Sequence, residues 1–329
     1  MTNIRSYNIG SFSFGYQAIY QKRELTTEQH LQNRTTTKSF GTGKRENHDS
    51  SSFYRRKLFK TRASEETTET VSTLSSSVLD QIFAHSSENM SELPDNSVAL
   101  MVTSPPYNVG KDYDLDLTLD EYLNLLERVL TETKRALMPG GRIAFNVANV
   151  GRKPYIPLNS FVAVMASRLG LLMRGEIIWV KGRGVSGSCA WGCWMSAGNP
   201  TLRDLHEYVL VFSKDRFDRP CKGRSTIDRD EFMRATTSVW EIPTESAKRV
   251  GHPAPFPVAL VERLIQLYTF EGDVVLDPFM GSGSTAVAAK RLGRHFVGYE
   301  ISQEYVDIIH KRLGQTDREF NGQSKQHVA

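Results

Sequence analysis

The sequence predicts an α/β protein built on a doubly wound, mostly parallel sheet. Three observations carry the prediction: short continuous apolar runs that suit buried strands, longer segments between them with apolar residues at helical spacing, and a Gly-rich turn that joins one such run to one such helix. Residues 78–83 read as a first short strand and residues 93–96, Leu-Pro-Asp-Asn, as a turn. Residues 98–102 are all apolar and lead into Pro105-Pro106, as expected of a buried strand that ends abruptly. Thr118 and Glu121 have the spacing of a capping box, and Leu119, Tyr122, Leu123, Leu126, Val129 and Leu130 repeat at helical intervals. Pro139-Gly140-Gly141 is expected to stop that helix, with a strand at 142–147 and a helix at 161–169 after it. Two more strands are predicted at 176–180 and 207–212, separated by a Gly- and Ser-rich loop at 182–200. Residues 214–250 have mixed charge and no sustained period. Order returns with a helix at 258–268, a strand at 274–276, a helix at 284–292, a strand at 295–299 and a closing helix at 303–313.

Composition sets the outer bounds. Hydrophobic residues make up 39% of the 329 positions and charged residues 24%, enough for a sizeable core. No apolar stretch approaches a membrane span, and the N-terminus lacks the apolar run of a secretory signal. Three cysteines, Cys189, Cys193 and Cys221, cannot all pair with one another, which points to a reducing compartment, the cytoplasm, rather than to a disulfide scaffold. Two thiols without a second pair make no zinc site, and Cys221, although it follows Pro220, lies in a polar segment that gives no support to a covalent cysteine mechanism. The net charge of +4 is uneven: residues 1–62 hold twelve Lys/Arg against four Asp/Glu, and the rest of the chain has a small acidic surplus. Such a terminal arm reads either as a solvated, unstructured tail or as a handle for polyanions.

Residues 274–286 combine a strand, a Gly-rich turn and a helix start. Gly281 and Gly283 let the backbone turn tightly and approach a ligand, and Glu300, at the end of the next strand, can accept hydrogen bonds from the ribose hydroxyls of an adenosine-bearing cofactor. The glycine pattern alone would also suit a nicotinamide dinucleotide, or merely pack a helix against a sheet. Asp277 and Phe279 favour S-adenosyl-L-methionine, because a carboxylate at the strand tip repels a pyrophosphate and suits an ammonium and a sulfonium.

The second unit is Thr103-Ser104-Pro105-Pro106-Tyr107-Asn108. The two prolines fix φ and offer no N–H, so the loop is biased toward hydrogen-bond acceptors. Ser104 Oγ and the Pro105 carbonyl can take both N–H bonds of an exocyclic amine, and Tyr107 offers a face on which an extruded base can stack. Read blandly, the same residues are a rigid turn after a core strand.

Taken together, residues 103–108 and 277–285 resemble the amino-directed DNA methyltransferases of the β arrangement, in which the catalytic motif precedes the cofactor motif. The resemblance covers about residues 78–313, with further landmarks at 93–97, 139–141 and 203–208. It implies a seven-stranded, Rossmann-like methyltransferase sheet with its last strand antiparallel and its motifs in circularly permuted order. It also implies that Ser104, Pro105, Pro106 and Tyr107 are catalytic and that Thr103, Asp277, Phe279, Gly281, Gly283, Thr285 and Glu300 hold the cofactor. His252, Pro253 and Phe256, in the segment 252–257, would close over it. The implied division is a basic arm (1–72), a catalytic half (73–213), a target-recognition segment (214–250), a cofactor-binding half (251–315) and a polar tail (316–329). Ser at position 104 resembles the branch that methylates N4 of cytosine; adenine N6 is the alternative, and RNA or protein amides or a nicotinamide-dependent oxidoreductase are more remote ones. The implied partner is double-stranded DNA, with a restriction endonuclease acting on the same site. The sequence departs from many relatives at His85-Ser86-Ser87-Glu88, where they carry a Gly-Asp pair beside the cofactor adenine. Arg216, Arg219, Lys222, Arg224, Arg229 and Arg234 read either as DNA contacts or as a solvated loop with interspersed acids, and Trp191 and Trp194 either as loop anchors or as surfaces near DNA.

Overall fold

The computed structural model describes residues 35–36, 48–49, 54–59, 70–107, 116–181 and 192–326, with the backbone alone for 319–326 and for 35–36, 48–49 and 59. The chain divides into two compact units, Met1–Ala63 and Ser64–Ala329. In the first, β1 (Thr35–Thr36) pairs in parallel with β2 (His48–Asp49), and residues Lys57–Phe59 form a 3-10 turn. Most of the basic arm lies outside the described residues.

The second unit is an eight-stranded mixed sheet, in the order β3-β10-β9-β4-β5-β7-β6-β8. Its strands are β3 (Gln81–Phe83), β4 (Val98–Thr103), β5 (Leu137–Val147), β6 (Leu172–Val180), β7 (His206–Ser213), β8 (Val239–Glu241), β9 (Val274–Asp277) and β10 (His295–Tyr299). β7 runs against both of its neighbours, and every other adjacent pair is parallel. The seven expected strands gain an eighth because residues 239–241, in the stretch without a period, add a parallel strand outside β6.

The helices are α1 (Leu119–Ala136), α2 (Leu158–Arg168), α3 (Arg229–Ala235), α4 (Ala247–Val250), α5 (Val258–Tyr268), α6 (Ser284–Arg291) and α7 (Gln303–Gln326). Strand parity sorts the core into two layers. Met101 of β4, Phe145 of β5 and Phe212 of β7 pack with α1 and α2, joined by Val98 from beyond the register shift in β4. Leu100 and Val102, Ala144 and Val211 face the other way, toward α5, α6 and Ile309 of α7. The sheet is thus covered on both faces, as its near-continuous apolar strands require.

α1 begins as its sequence foretells: Thr118 accepts from Glu121 N, and the Glu121 carboxylate accepts from Thr118 N at 2.9 Å. The expected stop is displaced. α1 ends at Ala136, and Pro139-Gly140-Gly141 lies inside β5, where the register with β4 jumps from Val98–Leu137 to Leu100–Arg142. A Cβ on Gly140, at φ +73°, would collide with the Asp218 carbonyl oxygen, so the bulge seats the turn after β7. Residues 214–250, expected to be irregular, also hold α3 and α4, and α7 continues into the expected polar tail as far as Gln326. Among the described residues no helix is long and apolar enough to cross a membrane.

Candidate active site

The carboxyl ends of β10, β9, β4, β5 and β6 and the amino end of β7 form one edge of the sheet, the usual place for ligands in open α/β folds. β4 and β9 are neighbours although about 170 positions separate them, with Met101 opposite Leu276. Their tips are joined through Asp277. Thr103 Oγ1 donates to Asp277 Oδ1 at 2.6 Å, Thr285 Oγ1 donates to Oδ2 at 2.6 Å, and Phe279 N donates to Oδ1 at 3.1 Å. Asp277 is only 3% exposed, and burial pushes its carboxyl up to about 6 against the pull of these hydrogen bonds. Four of the residues read as cofactor ligands, Thr103, Asp277, Phe279 and Thr285, therefore bind one another.

The Gly-rich turn follows. Gly281 has φ +52° and donates its N–H to Glu300 Oε2 at 2.8 Å, while Ser302 N donates to Oε1 at 2.9 Å. Burial raises the Glu300 carboxyl, the backbone N–H groups oppose that rise, and among the described residues no cation pairs with it. Gly283, at φ +78°, precedes α6; a Cβ there would come within 2.6 Å of Ile309, so glycine is what lets α7 pack over the turn. His252 covers Gly281, with Nε2 3.3 Å from where a Cβ would be, and its ring lies 4.6 Å from that of Tyr305. Burial pushes its imidazole below the usual histidine range. Pro253 is exposed, whereas Phe256 packs edge-on against Trp179 at 6.2 Å. Residues 85–88 follow β3 on the same edge; His85 bonds Glu92 at 2.9 Å and lies 5.3 Å from the Tyr299 ring, and Glu88 pairs with Arg128.

On the other side of Thr103 the proline loop leads into a polar network. Ser104 Oγ lies 3.1 Å from Tyr107 Oη, and Tyr107 donates to Glu207 Oε2 at 3.0 Å. Asn146 Nδ2 lies 3.2, 2.8 and 2.6 Å from Ser104 Oγ, Tyr107 Oη and Glu207 Oε2, respectively. Lys181 Nζ closes the chain 2.5 Å from Glu207 Oε1. Pro105 is buried and Pro106 half-buried beside them; Asn108 lies outside the described residues. Burial, then the Glu207 charge, pushes the Tyr107 phenol well above its usual range. Sequence reading found Ser104 and Tyr107 but missed Asn146 and Lys181, and took Glu207 only as a landmark. A signal was available: an amide inside the apolar strand Arg142-Ile-Ala-Phe-Asn-Val must find buried partners.

The arginine-rich segment lies elsewhere, and many of its arginines are engaged in ion pairs. Arg219 is an interior cation, ion-paired with Asp273 and stacked 4.9 Å over the Phe270 ring, just before β9 begins. Arg224 pairs with Glu271 at 3.0 Å and Arg216 with Asp218 at 2.9 Å, with Lys222 exposed between Arg219 and Arg224. These positions border the amino ends of the strands, away from Ser104. Arg234 pairs with Glu231 on α3, whose first residue is Arg229. Trp194 is 68% exposed on the loop between β6 and β7, at the carboxyl edge; Trp191 lies outside the described residues.

Comparison with known proteins agrees with this geometry. The N6/N4 methyltransferase family model, described as DNA methylase, matches residues 98–311, from the first residue of β4 into α7. The chain is 31% identical to the type II methyltransferase M.BglII of Bacillus subtilis over 258 residues, covering 74% of this chain and 71% of that one. It is 31% identical to the type II methyltransferase M.ScaI of Streptomyces caespitosus, covering 69% and 78%. Among solved structures, it resembles a candidate DNA modification methylase of Thermus thermophilus complexed with S-adenosyl-L-methionine, at TM-score 0.58 and 30% identity, covering 71% of this chain and 95% of that one. PvuII DNA methyltransferase (cytosine-N4-specific) has TM-score 0.58 at 21% identity, a likeness of fold alone, covering 70% and 85%.

Proposed function

Because the chain belongs to the N6/N4 methyltransferase family of DNA methylases, we propose that it methylates the exocyclic N4 of cytosine in duplex DNA, by direct transfer to a flipped base. The observation that carries this reading is the Thr103–Asp277–Thr285 junction, which ties the acceptor loop and the glycine turn to adjoining strand ends. The motifs stand in the permuted order of the β arrangement, with the catalytic loop on β4 and the cofactor turn on β9.

S-Adenosyl-L-methionine is the methyl donor, and when bound it supplies an electrophilic methyl group on a sulfonium. The residues fit it. Gly281 N and Ser302 N each bond a different Glu300 oxygen and Ile301 N adds a third backbone contact, which still leaves acceptor capacity for a ribose hydroxyl, and among the described residues no cation competes for the carboxylate. Gly281, at φ +52°, makes a turn that a side chain would strain and lets His252 close over it, and the buried Asp277 carboxylate disfavours a pyrophosphate. Gly281, Gly283, Phe279, Thr285 and Glu300 form the floor of that site, and His252, Pro253 and Phe256 its cover.

At the other half of the site Ser104 Oγ and the Pro105 carbonyl accept the two amine N–H bonds. That interaction turns the nitrogen lone pair toward the incoming methyl. Tyr107, fixed by its hydroxyl, stacks on the base. A neutral serine acceptor at 104 supports cytosine over adenine. The likeness to type II methyltransferases supports a role alongside a restriction endonuclease that cuts the same site. Incubation with labelled cofactor and mixed-sequence duplex, followed by nucleoside chromatography, tests the reading. N4-methylcytosine is expected; N6-methyladenine would move the enzyme to the adenine branch.

A further inference from the structure

The hydrogen bonds between Ser104 and Glu207 have a direction. Glu207 is 7% exposed and ion-paired to Lys181, so its carboxylate can only accept. Tyr107 therefore donates its single proton to Glu207 Oε2. With that proton committed, the contact at 3.1 Å must be a donation from Ser104 to Tyr107. The Asn146 amide is oriented by the same acceptor: its nitrogen, not its oxygen, faces Glu207 at 2.6 Å, and Oδ1 meets no partner among the described residues. The Ser104 and Tyr107 protons point away from the loop, and Asn146 Nδ2 takes at most one lone pair of Ser104 Oγ, so Ser104 keeps a lone pair for the substrate side.

We propose that Glu207 is the positioning residue that sets this polarity, and that it receives the proton displaced from the target amine through Tyr107 and Ser104. The inference rests on the reading of the site as an amino methyltransferase. Transfer forms an N–C bond with the nitrogen lone pair and breaks the S–C bond, whose electrons stay on sulfur. The nitrogen is left with one proton too many. That proton passes to Ser104 Oγ as the Ser104 hydroxyl proton passes to Tyr107 Oη and the Tyr107 proton to Glu207 Oε2. The carboxylic acid so formed loses its proton to water before the next turnover. The charged and titratable groups around Glu207 are Lys181 at the end of β6, Tyr107 beyond β4, and His206 and Tyr208 on its own strand; Asp204, just before it, is paired with Arg152.

Glu207→Gln preserves shape and removes the acceptor-only group. The Tyr107 phenol, followed by ultraviolet difference titration against Tyr107→Phe, should ionise at lower pH in Glu207→Gln than in wild type; an unchanged titration overturns the proposal whether or not the substrate is DNA. Single-turnover transfer of labelled methyl should slow by about 100-fold, with cofactor affinity unchanged. Tyr107→Phe and the double variant should be no slower than Glu207→Gln alone, since all three cut one path. A full rate in Glu207→Gln, or additive losses, would refute the relay. If Glu207→Gln does not fold, Tyr107→Phe is scored alone, and a full single-turnover rate in it would count against the proposal. Absence of methyl transfer to DNA by wild type would instead sink the functional reading, while the phenol titration still tests the polarity.

Discussion

Asp277 carries its charge in a buried setting between two threonine hydroxyls, and the cost of that placement can be read against pH. Its carboxyl is raised from 3.8 to about 6, so between those values the folded protein binds more protons than the unfolded chain. Stability must fall as pH rises through that window, by an amount on the order of 2–3 kcal/mol. Asp277→Asn cannot ionise and should lose this slope. Chemical denaturation of both proteins at pH 4 and pH 7 would measure the effect, and equal slopes would show that the charge is not the cause. One strand away, the reading of Ser104 as amine acceptor makes a separable prediction. Ser104→Ala should lower the single-turnover rate by about 10–100-fold and leave cofactor binding intact, since among the described residues its hydroxyl bonds Tyr107 and Asn146 rather than the cofactor-side residues. Isothermal titration beside a rate assay distinguishes this outcome from a general collapse of the site.

The elements that hold these residues depend on backbone form as much as on side chains. Gly283 is the sharpest case, because its φ of +78° and the Ile309 side chain 2.6 Å from a prospective Cβ both exclude alanine. Gly283→Ala should cost about 2–4 kcal/mol and weaken the cofactor site with it, seen as a lower denaturation midpoint with an unchanged slope. Thr118→Ala, which opens the capping box of α1, should cost about 1 kcal/mol without touching cofactor affinity. Both features were legible in the sequence, since Gly-x-Gly before a helix and Thr-x-x-Glu are local patterns with local causes. The strands of both motifs and the helix at 258–268 were legible for the same reason: an apolar run or stripe is a demand for burial. What failed to show was non-local. Pro139-Gly140-Gly141 looks like a helix stop but is a bulge inside β5, because its constraint is the Asp218 carbonyl 78 positions later. β8 is three residues long and exists through its pairing with β6, which no period can announce. Asn146 and Glu207 were visible as a buried amide and a strand-opening carboxylate, yet their convergence on Tyr107 needs the whole sheet.

At the scale of the molecule the sheet has two chemically distinct edges. The carboxyl edge gathers acceptors and acids: Ser104, Glu207, Asp277 and Glu300. The amino edge gathers cations, among them Arg142, whose guanidinium is lowered to about 10 by burial and by Arg174 and Arg219 nearby. Most of those cations have work within the fold. Arg142 donates to the Gly140 and Phe217 carbonyls and to Ser213, Arg219 binds Asp273, and Arg294 holds Thr269. Charge count alone would make this edge the DNA face, whereas the proposed transfer to a flipped base at Ser104 would bring a duplex to the opposite edge. Two consequences separate these views. Arg219→Gln leaves the half-buried Asp273 without its cation and should destabilise the fold by about 1–3 kcal/mol. Lys222→Gln with Arg224→Gln, both exposed, should leave stability nearly unchanged. Each phosphate contact adds nearly one unit to the slope of log affinity against log salt. If DNA lay along the amino edge, the double variant would flatten that slope by almost two units; approach from the carboxyl edge predicts that the slope stays as in wild type. Filter binding over a range of salt concentrations decides between them, and a flattened slope would return the arginine-rich segment to the DNA interface.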